Sequence, residues 1–279
     1  MNTSYLKTCM DSVREQAPLV HCVTNYVTVN DCANALLAVG GSPIMSSGEA
    51  SDVRDIASIC DGLDLNIGTL DEVSVAAMRV AATRAGELGH PILLDPVGAG
   101  ASAMRTSTAS VLLDSFPVSV IRGNMSEIQA VAGASSTTHG VDANPDDAVT
   151  RDNLADKAAF VRSFSATCGT IVAVTGAIDL VSDGTRTVAI ANGDATMSRI
   201  TGSGCMLSAI TPAFLAAHDD AFEAAVTAVC AMGVAGEVAA GRMGPLDGNG
   251  SFRTYLLDAL YNLTGDSLLA GARIDEPEA

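Results

Sequence analysis

Residues 63–97 read LDLNIGTLDEVSVAAMRVAATRAGELGHPILLDPV, and their pattern decides the fold class. LDLNIG (63–68) is a short apolar run that closes on Asn66 and Gly68, as a buried strand does where it meets a turn. LDEVSVAAMRVAATRAGELG (70–89) is Ala-rich and amphipathic, with Gly89 placed to end a helix. PILLDPV (91–97) is a second apolar run. Strand, helix and strand in that order form a crossover, and a crossover makes its two strands parallel.

The same alternation extends in both directions. SPIM (42–45), VSVI (118–121) and TIVAVTG (170–176) read as further buried strands. VNDCANALLAVG, closed by Gly40, and the segments MSEIQAVAG and RDNLADKAAFVRSFSATCG read as helices. DLVSDG followed by RTVAIANG predicts a hairpin around an Asp-Gly turn, hence an antiparallel pair at one edge. Beyond Cys205 the chain reads as helical to about residue 265. The fold class is therefore α/β with a mainly parallel sheet. Residues 1–270 are expected to form a single domain. The polar stretch 134–153 is expected to be a surface loop, and residues 271–279 a frayed acidic tail.

The chain has 279 residues, 48% of them apolar, which suffices for a large core. It has no Trp, so the core must be built from aliphatic residues, Met and Ala. Formal net charge is −17, and Lys7 and Lys157 are the two lysines. Such a surface repels nucleic acid and anionic membranes, so neither is expected as a partner. Acids in place of lysines also suit a salt-adapted source, a hypothesis that fails if the protein is fully folded and active without added salt. No continuous apolar run reaches membrane-spanning length and the N-terminus lacks a signal-peptide core, so a cytoplasmic protein is expected. The seven cysteines form no CxxC and have no His at zinc-like spacing, so most should be buried small hydrophobes.

In open α/β sheets ligands bind beyond the carboxyl ends of the strands. That directs attention to Met45, Asn66, Gly68, Asp95, Arg122, Asn124, Thr175 and Gly176. TGSGC (201–205) leads into a helix, and its glycines would let free N–H groups and a helix dipole meet an anion. It lacks the Gly-Lys-Ser/Thr of a Walker A loop and the third glycine of a dinucleotide fingerprint. A tight turn with a buried cysteine is the plain alternative. Asp95, in LLDPVGAGAS, is placed either to hold Mg2+ or to cap the next turn. In IRGNMSEI, Asn124 and Glu127 have the spacing of a capping box, whereas Arg122 at a strand end suits a phosphate oxygen. Asn25 is placed to orient a small polar ligand, and His21 reads as a satisfied core histidine.

Taken together, TNYVTVNDCANALLAVGGSPIM, LNIGTL, PILLDPVGAGAS, IRGNMSEI, VAVTGAIDLVSDG and TGSGCMLSAITPAFLA resemble the hydroxyethylthiazole kinases of the ribokinase-like superfamily. The resemblance spans residues 18 to about 265. It implies a three-layer sandwich and a homotrimer with active sites between subunits. It also implies transfer of the γ-phosphoryl group of ATP, with Mg2+, to the primary alcohol of 4-methyl-5-(2-hydroxyethyl)thiazole, a step of thiamine biosynthesis. Carried onto matching positions, Arg122, Thr175 and Gly204 would contact the nucleotide. Asn25, Val27, Met45, Gly68 and Gly202 would surround the thiazole, with Met45 serving an adjacent subunit. Asp95 and Glu127 would serve metal and phosphates. Cys205 stands where much of the superfamily has an aspartate, the base for the acceptor hydroxyl, and related thiazole kinases often have cysteine there.

Three other readings remain at this level. The same fold could phosphorylate a pyrimidine alcohol or a sugar. Cys205 could be a covalent nucleophile in a hydrolase or acyltransferase, which requires one of His21, His90, His139 and His218 as its base. The chain could also bind a ligand without catalysis.

Overall fold

The computed structural model describes residues 2–133 and 148–277. Its centre is a nine-stranded sheet. In chain order the strands are β1 Leu19–Val23, β2 Ser42–Met45, β3 Gly62–Asn66, β4 Ile92–Asp95, β5 Val120–Asn124, β6 Ile171–Thr175, β7 Asp179–Ser182, β8 Thr187–Ile190 and β9 Ile274–Asp275. They lie in the order β2-β1-β3-β4-β5-β6-β7-β8-β9. Pairings from β2 through β6 are parallel, and those from β6 to β9 are antiparallel.

Two helical layers cover the sheet. One comprises α1 Tyr5–Gln16, α2 Val29–Val39, α8 Ser203–Ala217, α9 Ala221–Gly241, α10 Asn249–Asn262 and α11 Gly265–Gly271. The other comprises α3 Ala50–Ile59, α4 Glu72–Leu88, α5 Ala103–Ser115, α6 Met125–Val131 and α7 Leu154–Cys168. Strand β4 shows why its sequence is apolar throughout: Leu93 packs into the first layer's core, Ile92 and Leu94 into the second's. This is the expected α/β sandwich of three layers. Gly40 ends α2 at φ 102°, where a Cβ would come within 2.9 Å of Arg14 Cγ.

Several elements differ from the sequence reading. LVHCV, to which the sequence reading gave no strand, is β1, between β2 and β3. His21 interrupts its apolar pattern, yet the ring is buried and Nε2 bonds the Ser46 carbonyl at 2.8 Å. The tail is not frayed from residue 271: Ile274 pairs with Ile190 and Asp275 with Ala189, widening the antiparallel edge to three strands. Helices continue past residue 265 as α11. Helix α9 is long and apolar enough to cross a membrane by length and composition, although Glu223 and Glu237 interrupt its apolar run. It is buried instead, packed against α1, α8 and α10. Of the expected surface loop, residues 134–147 lie outside the described residues. Cys9, Cys22, Cys32, Cys60 and Cys230 are buried, as expected, while Cys205 is only partly so.

Candidate active site

Five parallel strands end on the residues that matter: Met45, Asn66, Asp95, Asn124 and Thr175 are the last residues of β2, β3, β4, β5 and β6. Above these ends stands the first turn of α8. Its N-cap is Gly202 at φ 87°, without a capping side chain, and the first helical bond runs from Met206 N to the Gly202 carbonyl. The N–H groups of Ser203, Gly204 and Cys205 thus precede the helix's own ladder. Both glycines are required by close neighbours. A Cβ at Gly202 would lie 2.5 Å from Thr28 Cγ2, and one at Gly204 would lie 2.6 Å from Arg122 Nη1.

Two cavities meet at this turn. One, of about 340 Å3, is lined by Asn25, Val27, Gly68, Asp95, Glu127 and Cys205 among others, with Gly202 also on its wall. The second, of about 490 Å3, runs past Thr175, Asp179, Asn192 and Met232. Arg122, Ser198, Ser203 and Gly204 belong to both. The structure therefore brings together every candidate residue except Met45. That residue sits on the outermost strand, packed on the core, and lines neither cavity of its own chain.

A buried polar chain holds the smaller cavity in shape. Asn25 Nδ2 donates to Asn66 Oδ1 (3.0 Å) and to Cys205 Sγ (3.3 Å). Asn25 Oδ1 accepts from the Thr28 N–H and hydroxyl. Asn66 Nδ2 donates to Asp95 Oδ2 at 2.9 Å, where Ser208 Oγ also donates at 2.7 Å. Arg122 reaches Asp95 Oδ2 at 3.5 Å and donates to the Thr175 hydroxyl. Glu127 and Asn124 form the capping box of α6, and the second Glu127 oxygen accepts from Gly98 N at 2.8 Å. Thr28 and Ser208 are therefore site residues that the sequence reading did not single out, and Asn66, marked there only as a strand end, links Asn25 to Asp95. Of the first two Ser208 is the more legible, three residues after Cys205 and so on the same helix face.

Charge in the site follows from burial. Burial raises the Asp95 carboxyl above its ordinary value, against the influence of Arg122, Ser208 and Asn66. Glu127 is pushed up to about 7, first by burial and then by the charge of Asp95. The Cys205 thiol is raised by burial and, secondarily, by Asp95, so at neutral pH it is a thiol and not a thiolate. Asp95 Oδ1 is buried without a partner. Two buried carboxyls that repel each other, one with an orphaned oxygen, fit a hard cation such as Mg2+. Among the described residues no three potential ligands gather at one point. Asp95 and Glu127 would thus hold the ion together with water and substrate oxygens. None of His21, His90 and His218 lines either cavity, so those three supply no base to Cys205; His139 lies outside the described residues.

A mainly parallel sheet covered by helices on both faces, with the bare start of α8 between two cavities at the strand ends, is the ribokinase-like arrangement. A ribokinase-like superfamily protein from Enterococcus faecalis has the same fold, with a TM-score of 0.63 at 12% identity over 95% of this chain and 96% of that one. The family model for hydroxyethylthiazole kinases matches residues 10–266, and the chain belongs to that family. A hydroxyethylthiazole kinase from Clostridium acetobutylicum is 47% identical over 97% of this chain and 99% of its own length. The solved structure of a hydroxyethylthiazole kinase from Pyrococcus horikoshii superposes with a TM-score of 0.86 at 37% identity, covering 98% of this chain and 99% of that one.

Proposed function

We propose that the chain transfers the γ-phosphoryl group of ATP to the primary alcohol of 4-methyl-5-(2-hydroxyethyl)thiazole, giving the thiazole phosphate used to make thiamine. Family membership supports the reaction. The observation that carries the geometry is the wall shared by the two cavities, made of Arg122, Ser203 and Gly204 at the bare start of α8. The nucleotide fills the larger cavity with its phosphates toward Arg122 and Thr175. The alcohol enters the smaller cavity among Asn25, Val27, Gly68 and Gly202.

The alcohol oxygen forms the new bond to phosphorus as the bond to the β–γ bridging oxygen breaks. Negative charge on the migrating group meets the main-chain amides of Ser203 and Gly204 and the Arg122 guanidinium, a field fixed before reaction. Bound Mg2+ would neutralise charge on the phosphate oxygens. Asp95 and Glu127 are the residues placed to hold it. Asn25 orients Cys205, whose neutral thiol positions the alcohol and removes no proton early. In a loose transition state the alcohol proton departs late, to phosphoryl oxygens or water.

A homotrimer and a cytoplasmic location belong to the same proposal. Val27 is 58% exposed at the lip of the acceptor cavity beside Tyr26, 78% exposed, an apolar surface suited to a neighbouring subunit. Met45, outside its own chain's cavities, would serve that neighbour. The test is ATP and Mg2+ with the thiazole alcohol in competition with a pyrimidine alcohol, following phosphate transfer, with mass in solution measured by light scattering. Preferential phosphorylation of the thiazole is expected. Preference for the pyrimidine, or no transfer, overturns the reaction; a monomeric mass overturns the trimer.

A further inference from the structure

Residues 192–198 form one side of the larger cavity, and the groups behind them belong to no motif. Asn192 and Gly193 sit directly on α9. A Cβ at Gly233 would come within 2.6 Å of Asn192 Cβ, so the close approach depends on that glycine. Glu237, one turn further along α9, accepts from Gly193 N at 2.8 Å and from Asn192 Nδ2 at 3.1 Å. Arg273 completes the arrangement from the C-terminal segment. Its backbone N–H donates to Asn192 Oδ1 at 2.7 Å, and Nη2 donates to the Ala191 carbonyl at 2.6 Å. Its guanidinium also pairs with both Glu237 oxygens. Asn192 Nδ2 donates to the Gly271 carbonyl at 2.9 Å, tying the end of α11 to the same point.

Every polar atom of the Asn192 side chain is thus used, and its partners come from α9, from the end of α11 and from Arg273, the residue just before β9. Arg273 itself is outside the cavity, with a side chain 53% exposed. It also neutralises Glu237, a carboxylate that would otherwise face an anion-binding cavity from behind. We propose that Arg273, acting through Glu237 and Asn192, is a positioning residue for the nucleotide, setting the depth at which residues 192–197 wall its cavity. The inference rests on the reading of that cavity as the nucleotide site. It gives the segment that leads into β9 a task in the reaction, although it lines no part of the acceptor cavity.

The test is steady-state kinetics on the full chain, varying ATP and the thiazole alcohol independently. Arg273→Met is expected to raise KM for ATP about five- to tenfold, the scale of a lost charged hydrogen-bond set at a part-exposed site. KM for the alcohol, and kcat at saturating ATP, should stay within about twofold, a split that general loosening of the fold does not produce. Arg273→Lys, which keeps the charge, should recover part of the loss. Ala195→Phe, inside the cavity, separates the two readings. If it raises KM for ATP while Arg273→Met leaves that value at the wild-type level, the cavity stands and the clamp is refuted. If neither variant affects ATP, the cavity assignment falls and the clamp falls with it. An Arg273→Met variant that is folded but loses kcat and both affinities in parallel also refutes the clamp.

Discussion

Asp64 is the least expected residue in the core. It lies in the middle of β3 between Cys22 and Leu93 on the flanking strands, fully buried, and neither carboxyl oxygen has a partner. Burial, followed by the charge of Asp95, raises its carboxyl well above the ordinary value, with Arg122 opposing. The folded protein therefore holds the proton that the unfolded chain releases near pH 4. For a group whose folded pKa is raised, that contribution to stability is complete below the unfolded value and is lost as pH rises toward the folded one. Asp64→Val should stabilise the protein by about 1–3 kcal/mol at pH 7, the cost of an unsatisfied buried polar group. The gain should shrink at pH 4; urea unfolding at both values measures it, and a variant less stable than wild type at pH 7 refutes the argument. Cys205 yields a second expectation. A neutral thiol bonded by Asn25 is a poor base, so Cys205→Ala should lose less than the roughly 10²-fold minimum typical of removing a general base. Cys205→Asp should remain active. A much larger loss for the alanine variant, measured in a single-turnover assay, would make the thiol the base after all. Gly204 is the reverse case. A Cβ there collides with an Arg122 guanidinium already tied to Asp95 and Thr175, so Gly204→Ala should cut kcat by about 10²–10³ while costing no more than about 1–3 kcal/mol in stability. Full activity in that variant would place the phosphoryl group elsewhere.

At the scale of elements, the ends of β3 and β4 are locked together by one residue of α5. Arg105 donates to the carbonyls of Ile67 (3.0 Å), Gly68 (2.8 Å) and Val97 (2.8 Å). It thereby shapes the Gly68 side of the acceptor cavity and the turn that presents Gly98 N to Glu127. Arg105→Met leaves three carbonyls without their shared donor. The expected cost is about 2–4 kcal/mol in stability, with KM for the alcohol rising more than KM for ATP. Equal effects on both substrates would show that the latch does not act on the acceptor side. Nothing in the sequence announced Arg105, since α5 was not read as a helix and the three carbonyls lie in the turns that follow two separate strands. The strand ends were legible because parallel strands buried on both faces are short apolar runs with abrupt polar stops: Asn66, Asp95 and Thr175 stand at such stops. The capping box of Asn124 and Glu127 was legible because it is local, three residues apart. Ser208 meeting Asp95 was not, because the contact closes only when α8 docks on β4. Strand β1 was hidden by a histidine that finds its partner outside its own segment, and β9 by its two-residue length and by the charged Arg273 before it, whose partner Glu237 lies on a distant helix.

Across the whole molecule, charge is the dominant unbalanced quantity. With 32 acidic side chains and 15 Lys and Arg, pairing every cation with one acid would still leave 17 carboxylates without a partner. Several cations already serve acids on the surface: Arg186 pairs with Asp183 and Asp220, Arg242 with Asp258, and Lys7 with Asp266. Added salt weakens these contacts, but exposed pairs contribute only about 0–1 kcal/mol each. It also screens the mutual repulsion of the excess acids, whose reach is set by the Debye length, about 10 Å at 0.1 M and longer at lower salt. Because the excess outnumbers the pairs, the second effect should prevail. Tm should rise between about 0.05 M and about 1 M sodium chloride, most steeply at the low end where the Debye length changes fastest. Potassium chloride should give the same curve if screening is the cause, whereas a bound ion would distinguish the two salts. The cradle of α8 amides and Arg122 lies in partly enclosed cavities where screening is weak, so KM for ATP should change less than Tm implies. Calorimetry across the salt series, paired with initial rates, measures both. A Tm that stays flat or falls would mean that the surface pairs contribute more than the excess acids cost.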